Sequence, residues 1–430
     1  MIVLAGGHLV LPDRILTDAS LVIDHTRIGA IEPKARVDPA GATVVDVRGC
    51  YVLPGFIDVH VHGVDGHDTL DAGDPVSLIA ARLPRYGVTA FCPTTVACAP
   101  NELRTMLGNV AQSRAARQPD SARVLPAHLE SNFINPDYRG AQPAECLRVP
   151  PGPAALDAAR AGEAGHYRPG PAALDSARAG DAGHDVREPG EFSARDVLDV
   201  IAAARADVGI VTLAPELPGG IDLIRVLVAV GHTVSLGHSG ASVDEAVAAI
   251  EAGARQATHL FNRMAPMTHR APGIAGAVLA RGDVAVELIC DGYHVHPAMS
   301  RIAIASKGVG RVMAITDGTA VSGLPPGSTA RLGGQRIRVG EHAALMDNDT
   351  IAGSTQTMDG AFRTIVERFG LSVADAAVLC STTPARELGL SGYGVLAEGS
   401  VADLTVLDRE FRVVRTFIDG REVYRRGAAA

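Results

Sequence analysis

The sequence predicts an α/β protein: a (β/α)8 barrel of the TIM type with a small β-sandwich domain formed from both termini. Eight short apolar segments follow one another along the chain, and Ala-rich amphipathic stretches such as VDEAVAAIEAGA from Val243 separate most of them. The flanks instead contain hairpin-like segments rich in Val, Ile, Asp and Gly. We therefore expect residues 1–54 and 386–430 to form the small domain and residues 55–385 the barrel.

The eight predicted barrel strands are β-branched, apolar segments that end in polar residues, as strands of a buried parallel sheet do. They are FIDVHVHG from Phe56, GVTAFCPTT from Gly87, RVLPAHLES from Arg123, GIVTLAPE from Gly209, TVSLGHSG from Thr233, QATHLFN from Gln256, VELICDGYH from Val286 and RVMAITDG from Arg311.

One segment breaks this alternation. PGPAALDAARAGEAGH from Pro151 recurs as PGPAALDSARAGDAGH from Pro169. The repeat predicts a duplicated low-complexity insertion at about 149–190, tolerated on the surface and without chemistry of its own. His166 and His184 lie inside it, so we exclude them as ligands.

Composition narrows the class of protein. The chain has 430 residues, 47% of them apolar and 20% charged, and a net charge of -9 without a basic block, so we expect a globular enzyme that binds no nucleic acid. The six cysteines lack the spacing of a zinc or redox motif, which favours a cytoplasmic protein. No apolar run is long enough to span a bilayer, and the N-terminal segment lacks the basic start of an export signal.

Polar residues that suit a metal site fall at the ends of the predicted strands, which converge at one end of a barrel. His60 and His62 alternate along the first strand and so point to one side, as we also expect of Asp58. Glu130, His238 and His259 belong to the third, fifth and sixth strands. Any single histidine here could be an ordinary core residue, but together they favour one or two divalent ions. Imidazoles with a carboxylate suit Zn²⁺ best, with Fe²⁺, Mn²⁺ or Co²⁺ also compatible.

Asp317, in ITDG at the end of the eighth strand, is the predicted proton carrier of a metal-dependent hydrolase. A bound metal lowers the pKa of water to roughly 7, and a nearby carboxylate can take the proton and return it to a leaving amine. The alternative is an Asp that caps a helix or stabilises a turn.

Longer motifs resemble those of the amidohydrolase superfamily, in detail its N-acetylglucosamine-6-phosphate deacetylase family, over nearly the whole chain. They are PGFIDVHVHG at Pro54, HLES at His128, VTLAPE at Val211, VSLGHSGAS at Val234, ATHLFNRM at Ala257, DGYHVHP at Asp291, ITDG at Ile315 and AGSTQTMDGA at Ala352.

The resemblance implies hydrolysis of the acetamide of N-acetylglucosamine 6-phosphate to glucosamine 6-phosphate and acetate, in amino-sugar catabolism, by a homodimer. It further implies that Glu130, His238 and His259 hold the principal metal and that His60 and His62 can hold a second. It assigns Asn262, Arg270 and His294 to the sugar phosphate, with the last two reaching the phosphate in part across the dimer interface.

The chain departs from the family pattern at several positions around the expected site. Ser131 and Asn132 replace a Gly-Pro pair, Arg263 replaces a small residue, and Gln142 replaces the histidine that polarises the acetyl carbonyl. Gln142 can still donate a hydrogen bond to that carbonyl but cannot become cationic. Two alternatives therefore stay open: an amidohydrolase for another N-acyl sugar phosphate or N-acyl amino acid, and a non-catalytic sugar-phosphate-binding homologue.

Overall fold

A computed structural model of the chain describes residues 1–33, 41–152 and 192–427. Most of the predicted insertion, including His166 and His184, lies outside the described residues. Within them, no helix combines the length and the apolar character needed to cross a membrane.

Strands and helices alternate through the middle of the chain, whereas strands dominate its two flanks. The strands are β1 Ile2–Val10, β2 Ile15–Asp24, β3 Arg27–Glu32, β4 Thr43–Asp46, β5 Tyr51–Pro54, β6 Phe56–Val61, β7 Gly63–Val64, β8 His67–Asp68, β9 Val88–Thr95, β10 Arg123–Val124, β11 Ala127–Glu130, β12 Val208–Leu213, β13 Thr233–Leu236, β14 Gln256–Ala257, β15 Ala285–Ile289, β16 Val312–Ile315, β17 Thr329–Leu332, β18 Gln335–Val339, β19 Ala344–Met346, β20 Leu404–Leu407, β21 Val413–Ile418 and β22 Arg421–Arg425. The α-helices are α1 Pro75–Arg82, α2 Pro100–Ala115, α3 Ala194–Ala203, α4 Gly220–Ala229, α5 Val243–Glu251, α6 Gly273–Ala280, α7 Pro297–Lys307, α8 Met358–Glu367, α9 Val373–Ala377 and α10 Thr383–Glu387.

The parallel sheet formed by β6 and β9 to β16 confirms the predicted barrel, and each of the eight predicted segments contributes to it. The third segment is split into β10 and β11, because Pro126 between them has no N–H to give to a strand ladder. The first and last strands approach each other where the Asp317 N–H donates to the His60 carbonyl at 3.0 Å and the His62 N–H donates to Gly318 at 2.8 Å. The two ends of the candidate site are thereby joined through the backbone.

Alternating side chains of the barrel strands belong to two different apolar cores. Val211 and Ala314 pack with helix residues such as Ala249 in the layer between strands and helices. Their neighbours Ile210 and Met313 belong to a separate core of strand residues inside the barrel. Some helices are capped locally at their starts, as is α5, where Ser242 and Glu245 form a capping box.

Strands from both termini form the second sheet, as predicted, in the order β22-β21-β20-β5-β1-β2-β3 with β4 also against β1. The first half of β1 pairs with β4 and its second half with β5. Side chains from all parts of this sheet share one buried core, among them those of Leu21, Val45, Val52 and Phe417. We propose residues 1–54 and 386–430 as one domain and 55–385 as the other, with the boundary between β5 and β6.

A feature that the sequence analysis missed is the antiparallel sheet β17-β18-β19, which follows the last barrel strand. Leu332 at the end of β17 lines the cavity described below, and a Cβ on Gly333 would lie 2.4 Å from Val96. This sheet therefore contributes to the wall of the barrel mouth.

Candidate metal centre

Three predicted site residues occupy strained backbone just beyond the barrel strands. His238 has φ 48°, His259 has φ 28° and Asp317 has φ 46°. Each stands two residues after its strand, so the prediction that His238 and His259 lie within strands is wrong by one short turn. A left-handed conformation in a non-glycine residue costs on the order of 1 to 3 kcal/mol and is typical of functional sites. The turns bring these three side chains together with those of β6 and β11.

Glu130, His238 and His259 form the tightest group. The Glu130 Oε1 atom lies 3.0 Å from His238 Nε2 and 2.8 Å from His259 Nε2, and the two Nε2 atoms are 3.0 Å apart. All three residues are buried. Because the Tyr138 carbonyl can only accept, His238 Nδ1, 2.8 Å away, donates to it, and the ring turns its Nε2 atom inward. Lone pairs and a carboxylate that converge in this way fit a divalent cation.

A second group consists of His60, His62 and Asp317. The Asp317 Oδ1 atom lies 3.4 Å from His60 Nε2 and 3.3 Å from His62 Nε2, and these two nitrogens are 3.3 Å apart. Glu130 adjoins this group as well, with its Oε1 3.6 Å from His60 Nε2. The two groups thus share a border at Glu130, and the residues present fit one or two ions.

Burial and the two carboxylates set the protonation of the cluster. Burial favours neutral Glu130, but the adjacent His238 and His259 rings hold its pKa well below the usual range. Burial likewise opposes ionised Asp317, whose pKa is nevertheless lowered by its hydrogen bond with His62 and by the neighbouring imidazoles. The pKa of buried His60 falls to about 3, so its ring is neutral. Both carboxylates are therefore ionised and His60 is a free base. Burial disfavours a charged His259 ring, but its hydrogen bond with Glu130 raises its pKa to about 9, so a metal ion would have to displace that proton.

Glu287 is a buried carboxylate that the sequence analysis missed. Its side chain is fully buried, and its Oε2 lies 2.9 Å from His60 Nδ1. His60 donates its Nδ1 proton to this oxygen, which leaves the Nε2 lone pair facing His62 and Asp317. The only sequence signal was a single Glu in the otherwise apolar start of VELICDGYH.

The prediction that Asp58 shares a face with the two histidines is wrong. The pairing of β6 with β9 shifts register between Asp58 and Val61, which breaks the simple alternation. The Asp58 carboxylate accepts a hydrogen bond from the Thr316 hydroxyl at 2.5 Å and is not part of either ligand group.

A cavity of about 790 Å³ opens over both groups. Gln142 lies in its wall and is buried. The Gln142 Oε1 atom accepts the Ala97 N–H at 2.7 Å, which fixes the amide so that its Nε2 donates to Glu130 Oε2. The second N–H of that amide is left for a ligand.

The predicted substrate residues differ in their relation to this cavity. Asn262 lines it and donates to the His259 carbonyl at 3.2 Å. His294 lines it too: its Nδ1 lies 2.6 Å from Asp291 Oδ2, while its buried Nε2 has no hydrogen-bond partner among the described residues. Arg270 is exposed and does not line the cavity of the single subunit, whereas Arg263 does.

Comparisons with known proteins identify the family of the chain. Residues 206–423 match the model of the amidohydrolase family. An N-acetylglucosamine-6-phosphate deacetylase from Danio rerio is 34% identical over 395 residues, covering 89% of this chain and 86% of the relative. An N-acetylgalactosamine-6-phosphate deacetylase from Escherichia coli O157:H7 is 31% identical, covering 96% and 98%. A solved mutant N-acetyl-D-glucosamine-6-phosphate deacetylase from Mycobacterium smegmatis, in complex with N-acetyl-D-glucosamine-6-phosphate, has a TM-score of 0.80 at 30% identity and covers 98% of this chain and 99% of its own.

Proposed function

This chain belongs to the amidohydrolase family and, within it, to the N-acetylglucosamine-6-phosphate deacetylases, and from that premise we propose that it converts N-acetylglucosamine 6-phosphate into glucosamine 6-phosphate and acetate. The observation that carries this proposal is the meeting of Glu130, His238 and His259 with Asp317 in one cavity. Complete ligand groups beside an ionised proton carrier also argue against a non-catalytic binding protein.

Glu130, His238 and His259 would hold the principal ion, and His60 and His62 a second one. A divalent ion in this position supplies Lewis acidity, which polarises a carbonyl and makes water acidic enough to react near neutral pH. Zn²⁺ is the best match to the imidazole and carboxylate ligands. Glu287 keeps His60 in the tautomer that turns its Nε2 toward the site.

Asp317 would move the proton during hydrolysis. Its carboxylate takes a proton as water oxygen forms a bond to the acetyl carbon, and it returns that proton to the amide nitrogen as the C–N bond breaks. The lowered pKa of Asp317 supports this role, because the group must begin as the base. The products are then acetate and the free amine of the sugar phosphate.

Gln142, Asn262 and His294 would hold the substrate. The free N–H of Gln142 can donate to the acetyl oxygen, where a donor stabilises the charge that develops in the transition state. The unpartnered Nε2 of His294 can bind a polar group of the sugar phosphate. We assign Arg270 to the phosphate of a substrate bound in the neighbouring subunit of a homodimer, because Arg270 lies outside the cavity of its own subunit.

A cytoplasmic role in amino-sugar catabolism accords with six free thiols. A second candidate substrate is N-acetylgalactosamine 6-phosphate, which the similar E. coli relative is named for. The two sugars differ only in the configuration of one hydroxyl, so the acetamide chemistry would be the same.

The test is amine and acetate release from both sugar phosphates, from unphosphorylated N-acetylglucosamine and from an N-acyl amino acid, with protein stripped of metal and then reloaded with Zn²⁺. We expect turnover of a phosphorylated sugar that is lost on stripping and restored on reloading. If the metal-loaded protein hydrolysed none of these compounds, the proposal would be refuted.

A further inference from the structure

Arg263 supplies the only Lys or Arg side chain among the described residues that line the cavity. Three carboxylates, those of Glu130, Asp137 and Asp317, line the same space. Carboxylates repel an anionic ligand, so a permanent cation in this wall changes which ligands the cavity accepts.

The guanidinium of Arg263 has no partner within the described parts of the chain: no carboxylate pairs with it and no carbonyl accepts from it. Its backbone, by contrast, is fixed. The Arg263 carbonyl accepts the Ser239 N–H at 3.0 Å, and the next residue, Met264, bridges to the same serine. Arg263 is exposed to solvent, as Arg270 is, but unlike Arg270 it also lines the ligand cavity.

Local backbone conformation keeps the Arg263 side chain in that position. Arg263 has φ 52°, a left-handed conformation that a non-glycine residue adopts at a cost. Gly140, on the loop that carries Gln142, leaves the room that the guanidinium needs, because a Cβ there would lie 2.6 Å from Arg263 Nε. Two backbone features thus place an unpaired cation against the cavity.

His294 provides an independent sign that this cavity binds a polar ligand. Its side chain is 5% exposed, its Nδ1 is engaged by Asp291, and its Nε2 is buried without a partner. A buried nitrogen without a hydrogen-bond partner destabilises the folded protein, and a ligand atom that bonds to it would relieve this cost. Arg263 and His294 line the same cavity, so an anion there would meet a permanent cation and a ring nitrogen that has no partner of its own.

We propose that Arg263 binds the phosphate of the substrate from within the same subunit. The inference rests on the proposed function for the identity of the substrate. A guanidinium can grip phosphate oxygens bidentately, whereas an ammonium group acts as a point charge.

The experiment measures binding of glucose 6-phosphate and of glucose by calorimetry to the metal-loaded protein. Glucose 6-phosphate has the phosphate but no acetamide, so it probes the anion contact without catalysis. Arg263→Ala should weaken its binding by about 10- to 100-fold, the loss of one charge-assisted contact. Arg263→Lys should recover part of that loss, and Arg104→Ala, which removes an exposed arginine of α2 outside the cavity, should bind as the wild type does.

Wild-type affinity for glucose 6-phosphate in Arg263→Ala would overturn the inference. An equal loss of affinity for glucose and for glucose 6-phosphate would overturn it too, because it would indicate a distorted cavity. Loss of binding in Arg270→Ala alone would overturn it too, by assigning the phosphate to that residue. The proposed function can fail separately from this inference. If the wild type hydrolyses no acetamide but Arg263→Ala still weakens binding of glucose 6-phosphate, the deacetylase assignment is refuted and the contact between Arg263 and phosphate is retained.

Discussion

Replacing Glu287 by Gln tests whether the buried carboxylate tunes the second group of metal ligands. Glu287 Oε2 accepts the Nδ1 proton of His60 at 2.9 Å, and both side chains are fully buried. Glutamine has nearly the same shape and keeps one acceptor oxygen, but it removes the carboxylate that makes the His60 ring a stronger ligand. Because burial raises the pKa of Glu287 to about 7, the assay is run above that pH, where the carboxylate is ionised. Loss of such an outer partner lowers metal affinity by about 10- to 100-fold, equivalent to about 1.4 to 2.8 kcal/mol.

The assay is a titration of metal-free protein with Zn²⁺ against a coloured chelator, with metal content measured after dialysis. We expect two classes of site in the wild type and a selective weakening of one class in Glu287→Gln. The class held by Glu130, His238 and His259 should change much less, because Glu287 contacts a ring nitrogen of His60 at 2.9 Å but only the backbone N–H of His259, at 3.4 Å.

Asp403→Asn is the matched control, because Asp403 is also a buried carboxylate but belongs to the sheet of the two termini. It should bind zinc as the wild type does. A wild type that binds a single ion, or a Glu287→Gln protein with unchanged zinc binding, would refute the reasoning.

Two further predictions concern Gln142 and Asp403. Gln142→His should raise kcat for N-acetylglucosamine 6-phosphate, because a donor that can become cationic replaces a neutral amide, and Gln142→Leu should lower kcat by about 10- to 100-fold. A histidine variant as slow as the leucine variant would contradict this, by showing that activity depends on the hydrogen bonds of Gln142 to Ala97 and Glu130. Burial raises the pKa of Asp403 from 3.8 to about 6, so the folded state binds more protons than the unfolded state and loses up to about 3 kcal/mol of stability as pH rises from 4 to 7. Asp403→Asn should not show this loss, and its stability relative to the wild type should therefore grow over that range in urea unfolding; a constant difference would contradict the pKa assignment.

The barrel could be predicted because each strand is a short apolar segment that ends in a polar residue, and the site because such ends converge. This rule predicted that Glu130 and His259, which are 129 residues apart in the sequence, lie in one site, and their side-chain atoms are 2.8 Å apart. The rule does not specify the last turn of backbone, so it placed His238 and His259 inside strands that end two residues earlier.

Other features depend on register, which the sequence does not reveal. Alternation predicted that Asp58 would share a face with the His60 ring, but β6 shifts register after Asp58, whose carboxylate contacts the His60 backbone N–H and not the ligand groups. Glu287 faces His60 because β15 and β6 are separated by only one strand, β16, around the barrel, and a lone Glu in a strand does not indicate its neighbours. The β17-β18 hairpin did have a signal, Gly333-Gly334 between alternating residues, but it lay in a region already assigned to the barrel.

The most direct test of the account is Asp317→Asn, with metal content and acetate release measured on the same preparation. We predict that the ion of Glu130, His238 and His259 is retained while release of acetate from N-acetylglucosamine 6-phosphate falls by about 100-fold or more. Acetate release at the wild-type rate by this variant would contradict the assignment of Asp317 as the proton carrier of a metal-dependent deacetylase.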